Sequence, residues 1–110
     1  MKLDNLIYHE ETQSVKIIDF GFALVAKEPL KVFCGTPSYM SPEIVSKREY
    51  HGPAADVWAA GVVMYILLTG LLPFRAENEK ALFRKIQAGM FVIPQRPDGS
   101  RLSAEARDLL

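Results

Sequence analysis

Apolar and polar positions come in short blocks at the start of the chain and in longer periods after it. Leu6-Ile7-Tyr8 is one apolar run and Val15-Lys16-Ile17-Ile18 a second, while residues 9–14 between them are polar. Valine and isoleucine crowd a helix at χ1 but suit a strand. The pattern therefore predicts a β-hairpin with residues 9–14 as its loop. In that register Tyr8 faces Val15 and Leu6 faces Ile17, so Asn5 falls beside Ile18 and Asp19. Asp19 then stands at the mouth of a buried strand, where an acid is costly without a partner, and Gly21 supplies the turn that follows.

Residues 22–40 show no sustained period and include Pro29, Gly35 and Pro37. They read as one long ordered loop, and long loops in compact domains are usually functional. Ser41 is placed to cap a short helix with Pro42 in its first turn, ending near Val45. Residues 47–53 are a polar loop. A helix follows over residues 54–69, apolar on every side and so expected in the middle of a core, with Asp56 in its first turn, where the helix dipole favours an acid. Asn78 caps an amphipathic helix with Leu82, Phe83 and Ile86 on one face, and Gly89 stops it. Residues 91–100 form a loop bearing proline and glycine. Ser103 then caps a third helix, with Ala106, Leu109 and Leu110 apolar and no stop signal after it.

Composition narrows the classes. A chain of 110 residues allows one domain with a real core. Thirteen basic and thirteen acidic residues give zero net charge, and with the signs intermixed neither a nucleic-acid nor an anionic-membrane surface is expected. The apolar run over residues 57–72 falls short of the ~20 residues a spanning helix needs and is ended by Gly70 and Pro73. A membrane-embedded protein is the weaker reading of it. A single cysteine, Cys34, forbids an internal disulfide and fits a reducing, cytoplasmic setting. With no basic neighbour other than Lys31, it reads as a small side chain rather than a nucleophile. The N-terminus has no apolar signal region, and His9 and His51 read as solvated loop residues.

The candidate chemistry starts from the Asn5–Asp19 pair. Mg²⁺ favours hard oxygen ligands and takes one or two from protein and the rest from phosphates and water. The bland reading is that both residues simply terminate strands, as polar residues often do. What surrounds the pair weighs against that. Lys2-Leu3-Asp4-Asn5 resembles the tail of a protein-kinase catalytic loop, Asp19-Phe20-Gly21 resembles the magnesium-binding D-F-G, and Ser41-Pro42-Glu43 resembles A-P-E with serine in place of alanine. The three occur in the family's order, and the resemblance runs through the whole chain. The implied fold is α+β and mainly helical: the C-terminal lobe of the protein-kinase fold with a short hairpin, truncated at both ends, so that residues 1–110 are a partial kinase domain.

The resemblance implies a serine/threonine protein kinase that transfers the γ-phosphoryl group of ATP to protein hydroxyls. Lys2 would neutralise charge on the transferring group, Asn5 and Asp19 would hold the magnesium ions on ATP, and Thr36 would bridge the catalytic aspartate and Lys2. The plainer readings are a solvated terminal lysine and a turn threonine. Phe20 is core in either reading. Gly21, Pro42 and Glu43 belong to the activation segment, and Asp56 resembles the aspartate that hydrogen-bonds catalytic-loop backbone, a role compatible with the dipole reading. Leu72-Pro73-Phe74 and the helix after it suggest substrate docking, though a core role suffices. Residues 33–39 and 50–58 are similar to the calmodulin-dependent and AMP-activated kinase group.

The chain also departs from the family's pattern. Counting back from Lys2, the catalytic aspartate would precede Met1, and the N-terminal lobe and the remainder of the C-terminal lobe are expected to be missing. These residues by themselves are then expected to be inactive and marginally stable. Related kinases phosphorylate a threonine where this chain has Val32, and no serine, threonine or tyrosine lies between Gly21 and Gly35. Activation by a phosphate paired with arginines is not expected there. Glu43 would pair with an arginine beyond the C-terminus. The rival reading is a non-catalytic, pseudokinase-like interaction module.

Overall fold

The computed structural model describes residues 1–95 and 99–110. A 3-10 turn over Leu3–Asn5 leads into two antiparallel strands, β1 (Leu6–His9) and β2 (Ser14–Ile17). The register is the expected one: Leu6 faces Ile17 and Tyr8 faces Val15. His9 and Ser14 also pair, so the connecting loop is the shorter 10–13 and His9 ends a strand, its Nδ1 3.1 Å from the Thr12 hydroxyl. Gln13 takes the left-handed conformation that closes the turn (φ 48°).

The ribbon is not buried. Ile7, Tyr8, Val15 and Ile17 are all exposed, because these two strands pair with each other and neither face is covered by another layer among the described residues. The expected burial of the strand before Asp19 is therefore wrong for this chain. Phe20 is not core either: it is 67% exposed.

Residues 22–40 form an irregular segment, as expected, carrying one 3-10 turn over Pro37–Tyr39 and one isolated bridge between Leu30 and Tyr50. The helices follow as α1 (Pro42–Val45), α2 (Gly52–Thr69), α3 (Glu79–Ala88) and α4 (Ala104–Leu109). Pro42 occupies the first turn of α1, where its missing N–H costs nothing. Ser41 does not cap α1 through its side chain; it is 2% exposed instead, its hydroxyl packed away from solvent. Asn78 caps α3 as expected, its Oδ1 accepting from Ala81 N–H at 2.9 Å, and Gly89 ends it at φ 63°. Ser103 Oγ accepts from Ala106 N–H at 3.2 Å and starts α4. Of the expected loop 91–100, residues 96–98 lie outside the described residues.

The core sits where α1, α2 and α3 meet. Met40, Ile44, Val45, Phe74 and Ile86 form its centre, with Tyr50, Trp58, Leu82 and Phe83 packed around them. Phe74 stacks on Trp58 at 5.9 Å between centroids and meets Phe91 edge-on, so the Leu72-Pro73-Phe74 turn serves the core. Tyr65 donates to the Val92 carbonyl at 2.6 Å and ties the loop after α3 back to α2. Helix α2 is buried along one side only: Ala59, Val62, Val63 and Tyr65 are covered while Val57 and Leu67 are exposed. It starts at Gly52, which moves Asp56 from the first turn to the second. At 18 residues and a mean hydropathy of 1.4, it is long and apolar enough to cross a membrane, so length does not argue against that role.

Candidate functional site

The hairpin's open end assembles the candidate site. Lys2 is fully extended, and the 3-10 turn after it returns Asn5 N–H to the Lys2 carbonyl at 3.1 Å. Asn5 then accepts from Ile18 N–H through its own carbonyl at 2.9 Å. That hydrogen bond extends the ribbon one position beyond Leu6 and Ile17, and it leaves Asn5 and Asp19 at the same end of the two strands.

Asp19, rather than Gly21, carries the unusual backbone. Its φ is 62°, in the left-handed region that asparagine and aspartate tolerate better than other non-glycine residues. The side chain supports the turn: Oδ1 accepts from Gly21 N–H at 3.1 Å, a local Asx turn. Gly21 has no positive φ. What requires glycine is space, since a Cβ at Gly21 would sit 3.1 Å from that same Asp19 oxygen.

A cleft of about 810 Å³ lies against this end of the ribbon, and Lys2, Asn5, Asp19, Phe20, Thr36 and Asp56 all line it. Thr36 is brought there by the 3-10 turn that follows it; its carbonyl accepts from Tyr39 N–H at 2.9 Å, and its hydroxyl makes no capping bond. Asp56 projects from α2 with its side chain 68% exposed.

Pro42 and Glu43 are not part of the cleft. They line a separate polar notch with Ser46, Arg48 and Gln87, where Gln87 Nε2 donates to Ser46 Oγ at 3.1 Å. Among the described residues Glu43 forms no ion pair.

The donor set in the cleft suits a phosphate-bound hard cation. Asn5 offers an amide oxygen and Asp19 a carboxylate, while Lys2 supplies an ammonium for a phosphate. No group of three or more histidine, cysteine, aspartate or glutamate side chains is placed for a metal among the described residues. A cation here would take its remaining ligands from phosphate and water, as Mg²⁺ commonly does.

One cleft residue and one contact beside it have no signal in the motifs. Tyr50 lines the cleft and its hydroxyl donates to the Val32 carbonyl at 3.0 Å; burial raises its pKa above the usual tyrosine value. Lys31 meets Glu49 at 2.6 Å, and that contact holds the ammonium's pKa above its ordinary value. Hydrophobic periodicity cannot find either contact, because both lie in segments without a period. Cys34 is a free, half-buried thiol on the cleft wall.

Comparison with known proteins places this geometry. The protein kinase domain family matches residues 1–110. The chain is 46% identical over 112 residues to the probable serine/threonine-protein kinase HSL1 of Saccharomyces cerevisiae, covering 100% of this chain and 7% of that protein. It is 45% identical to the probable serine/threonine-protein kinase MARK-A of Dictyostelium discoideum, again over the whole chain and 10% of that protein. To the serine/threonine protein kinase OSK3 of Oryza sativa it is 44% identical, over the whole chain and 21% of that protein. The chain thus spans between 7% and 21% of the length of these relatives. With the family match running over residues 1–110, the chain belongs to the protein kinase domain family.

Proposed function

We propose that residues 1–110 are part of the C-terminal lobe of a serine/threonine protein kinase and supply the magnesium- and phosphate-facing half of its ATP site. One observation carries the reading: the Asn5–Ile18 hydrogen bond extends the ribbon so that Asn5 and Asp19 end it together, lining one cleft with Lys2 and Thr36. The naming of the relatives as serine/threonine kinases supports the reaction class. Asn5 and Asp19 would hold Mg²⁺, which when bound to ATP neutralises phosphate charge. Lys2 places a further positive charge toward a phosphate, and Gly21 N–H fixes which oxygen of Asp19 stays free. Thr36 offers a hydroxyl to the same cleft, toward a protein substrate bearing a serine or threonine. Glu43 and Pro42, in the separate notch, have a structural part in closing the segment.

The proposal includes three narrower statements. The chain resembles the calmodulin-dependent and AMP-activated kinase group in residues 33–39 and 50–58. Its setting is cytoplasmic, with neither nucleic acid nor membrane as partner, as the balanced charge and single cysteine suggest. These 110 residues alone do not turn over ATP, because no residue among them supplies the aspartate that orients the substrate hydroxyl.

The test is magnesium-dependent binding of an ATP analogue to the full-length protein, measured by calorimetry. Asp19→Asn keeps the backbone conformation and the Gly21 contact but removes the charge. It is expected to weaken binding about tenfold or more, as disturbance of a metal's ligand shell does, and to remove most of the magnesium dependence. Lys2→Ala is expected to weaken binding while leaving that dependence in place. Equal magnesium dependence in the unmodified protein and in Asp19→Asn would overturn the site assignment and favour a non-catalytic module.

A further inference from the structure

Residues 22–34 hold no hydroxyl-bearing side chain, yet the segment is fastened to the rest of the molecule, at Phe33, whose ring meets Phe83 edge-on, and through backbone at Leu30. Leu30 N–H donates to the Tyr50 carbonyl at 2.8 Å, and Tyr50 N–H donates to the Leu30 carbonyl at 3.0 Å. This is one closed antiparallel pair, isolated from any sheet. On one side of it, Lys31 Nζ meets Glu49 Oε1 at 2.6 Å. Two residues beyond Leu30, the Tyr50 hydroxyl donates to the Val32 carbonyl at 3.0 Å. Three residues of the segment are therefore held by two adjacent residues ahead of α2. Tyr50 in turn packs against the core cluster that contains Met40 and Ile44, so the fastening is anchored to the buried core.

We propose that this clasp, made by Glu49 and Tyr50 on Leu30, Lys31 and Val32, orders the activation segment without a phosphate. The inference rests on the kinase reading for the segment's role and goes beyond it in naming how the segment is held. A phosphorylated residue would order such a loop by recruiting arginines; Val32 has no group to modify. The clasp reaches the same end through the backbone. It uses the Val32 carbonyl, which every residue type presents, and so makes no demand on the side chain there. The contacts are unequal. The Lys31–Glu49 pair is exposed on both sides, and such pairs contribute little. The backbone pair and the tyrosine hydroxyl do most of the fastening.

The experiment is amide hydrogen exchange on the full-length protein after phosphatase treatment. The Leu30 and Tyr50 amides are expected to exchange at least about tenfold more slowly than those of Val25 and Ala26, which have no comparable backbone partner among the described residues. Tyr50→Phe keeps the ring on the core and removes only the hydroxyl donor. It should speed exchange at Leu30 about fivefold, the change one neutral hydrogen bond accounts for. Lys31→Glu should change it less. The proposal is overturned if Leu30 exchanges as fast as Val25, if Tyr50→Phe leaves its rate unchanged, or if phosphatase treatment itself releases the segment in the unmodified protein. The measurement uses neither nucleotide nor turnover, so a protein that fails to bind Mg²⁺·ATP while keeping the clasp would sink the catalytic reading and leave this one standing.

Discussion

Asp19 concentrates several requirements in one residue. It must take a left-handed backbone, accept from Gly21 and leave an oxygen facing the cleft. Gly21→Ala tests this indirectly. The new methyl would lie 3.1 Å from Asp19 Oδ1 and must push the carboxylate aside by a few tenths of an ångström. With helices and core untouched, the circular dichroism spectrum should be unchanged, while Mg²⁺·ATP affinity falls by about tenfold, as small misplacements of site groups do. Tyr50 gives a second prediction, in pH. Burial raises its pKa, so the neutral phenol is favoured in the folded protein. Its contribution is complete below the unfolded value of roughly 10 and is lost as pH rises through the higher folded value. Exchange at Leu30 should therefore accelerate in that alkaline window in the unmodified protein, and Tyr50→Phe should lack the transition. The motif Asp-Phe-Gly was legible in the sequence at this scale. The division of labour inside it was not, because left-handed backbone is affordable to aspartate as well as to glycine, and only coordinates show which residue uses it.

The elements with a strong local signal came out of the sequence nearly intact. Helix α3 has a capping asparagine, an apolar stripe and a terminal glycine, and all three are where the pattern placed them. Asn78→Ala should lower stability by about 1 kcal/mol through the lost cap. Gly89→Ala should cost a further ~1 kcal/mol, since φ is 63° there. Both are measurable by denaturant titration of the full-length protein. Phe74→Ala is a harsher change: it removes the ring stacked on Trp58 and should cost about 3–5 kcal/mol. The hairpin register was legible too, because polar and apolar residues flank it symmetrically. What the pattern could not supply was burial. An exposed apolar strand and a covered one read alike, which is why β2, Phe20 and the outer side of α2 were all expected inside. Residues 22–40 were recognisable only as a segment without a period, and the Leu30–Tyr50 pair within them depends on backbone groups, which carry no sequence signature.

The whole molecule is more open than its length requires. Its radius of gyration is 15.2 Å, against about 13 Å for a compact domain of this size. The difference has a visible source in the apolar side chains left uncovered: Phe22, Val25, Val57, Leu67, Met90 and Val92 are each more than two-thirds exposed. Apolar side chains left this exposed promote association where they adjoin one another. Residues 1–110 expressed alone are expected to sediment as concentration-dependent oligomers and to melt broadly. A monomer with one sharp cooperative transition would show that the helical core suffices by itself.

The ribbon that presents Asn5 and Asp19 has consequences of its own. A two-stranded hairpin with both faces wet is marginal in water, so the pair it carries is held far less firmly than anything between α1 and α3. On the proposed reading, nucleotide capture at such a place would double as a folding step. On that reading the ligand would order a marginal ribbon, and part of its interaction energy would go into that ordering. Affinity should then respond to anything that stiffens the strands, even where it touches neither the metal nor a phosphate.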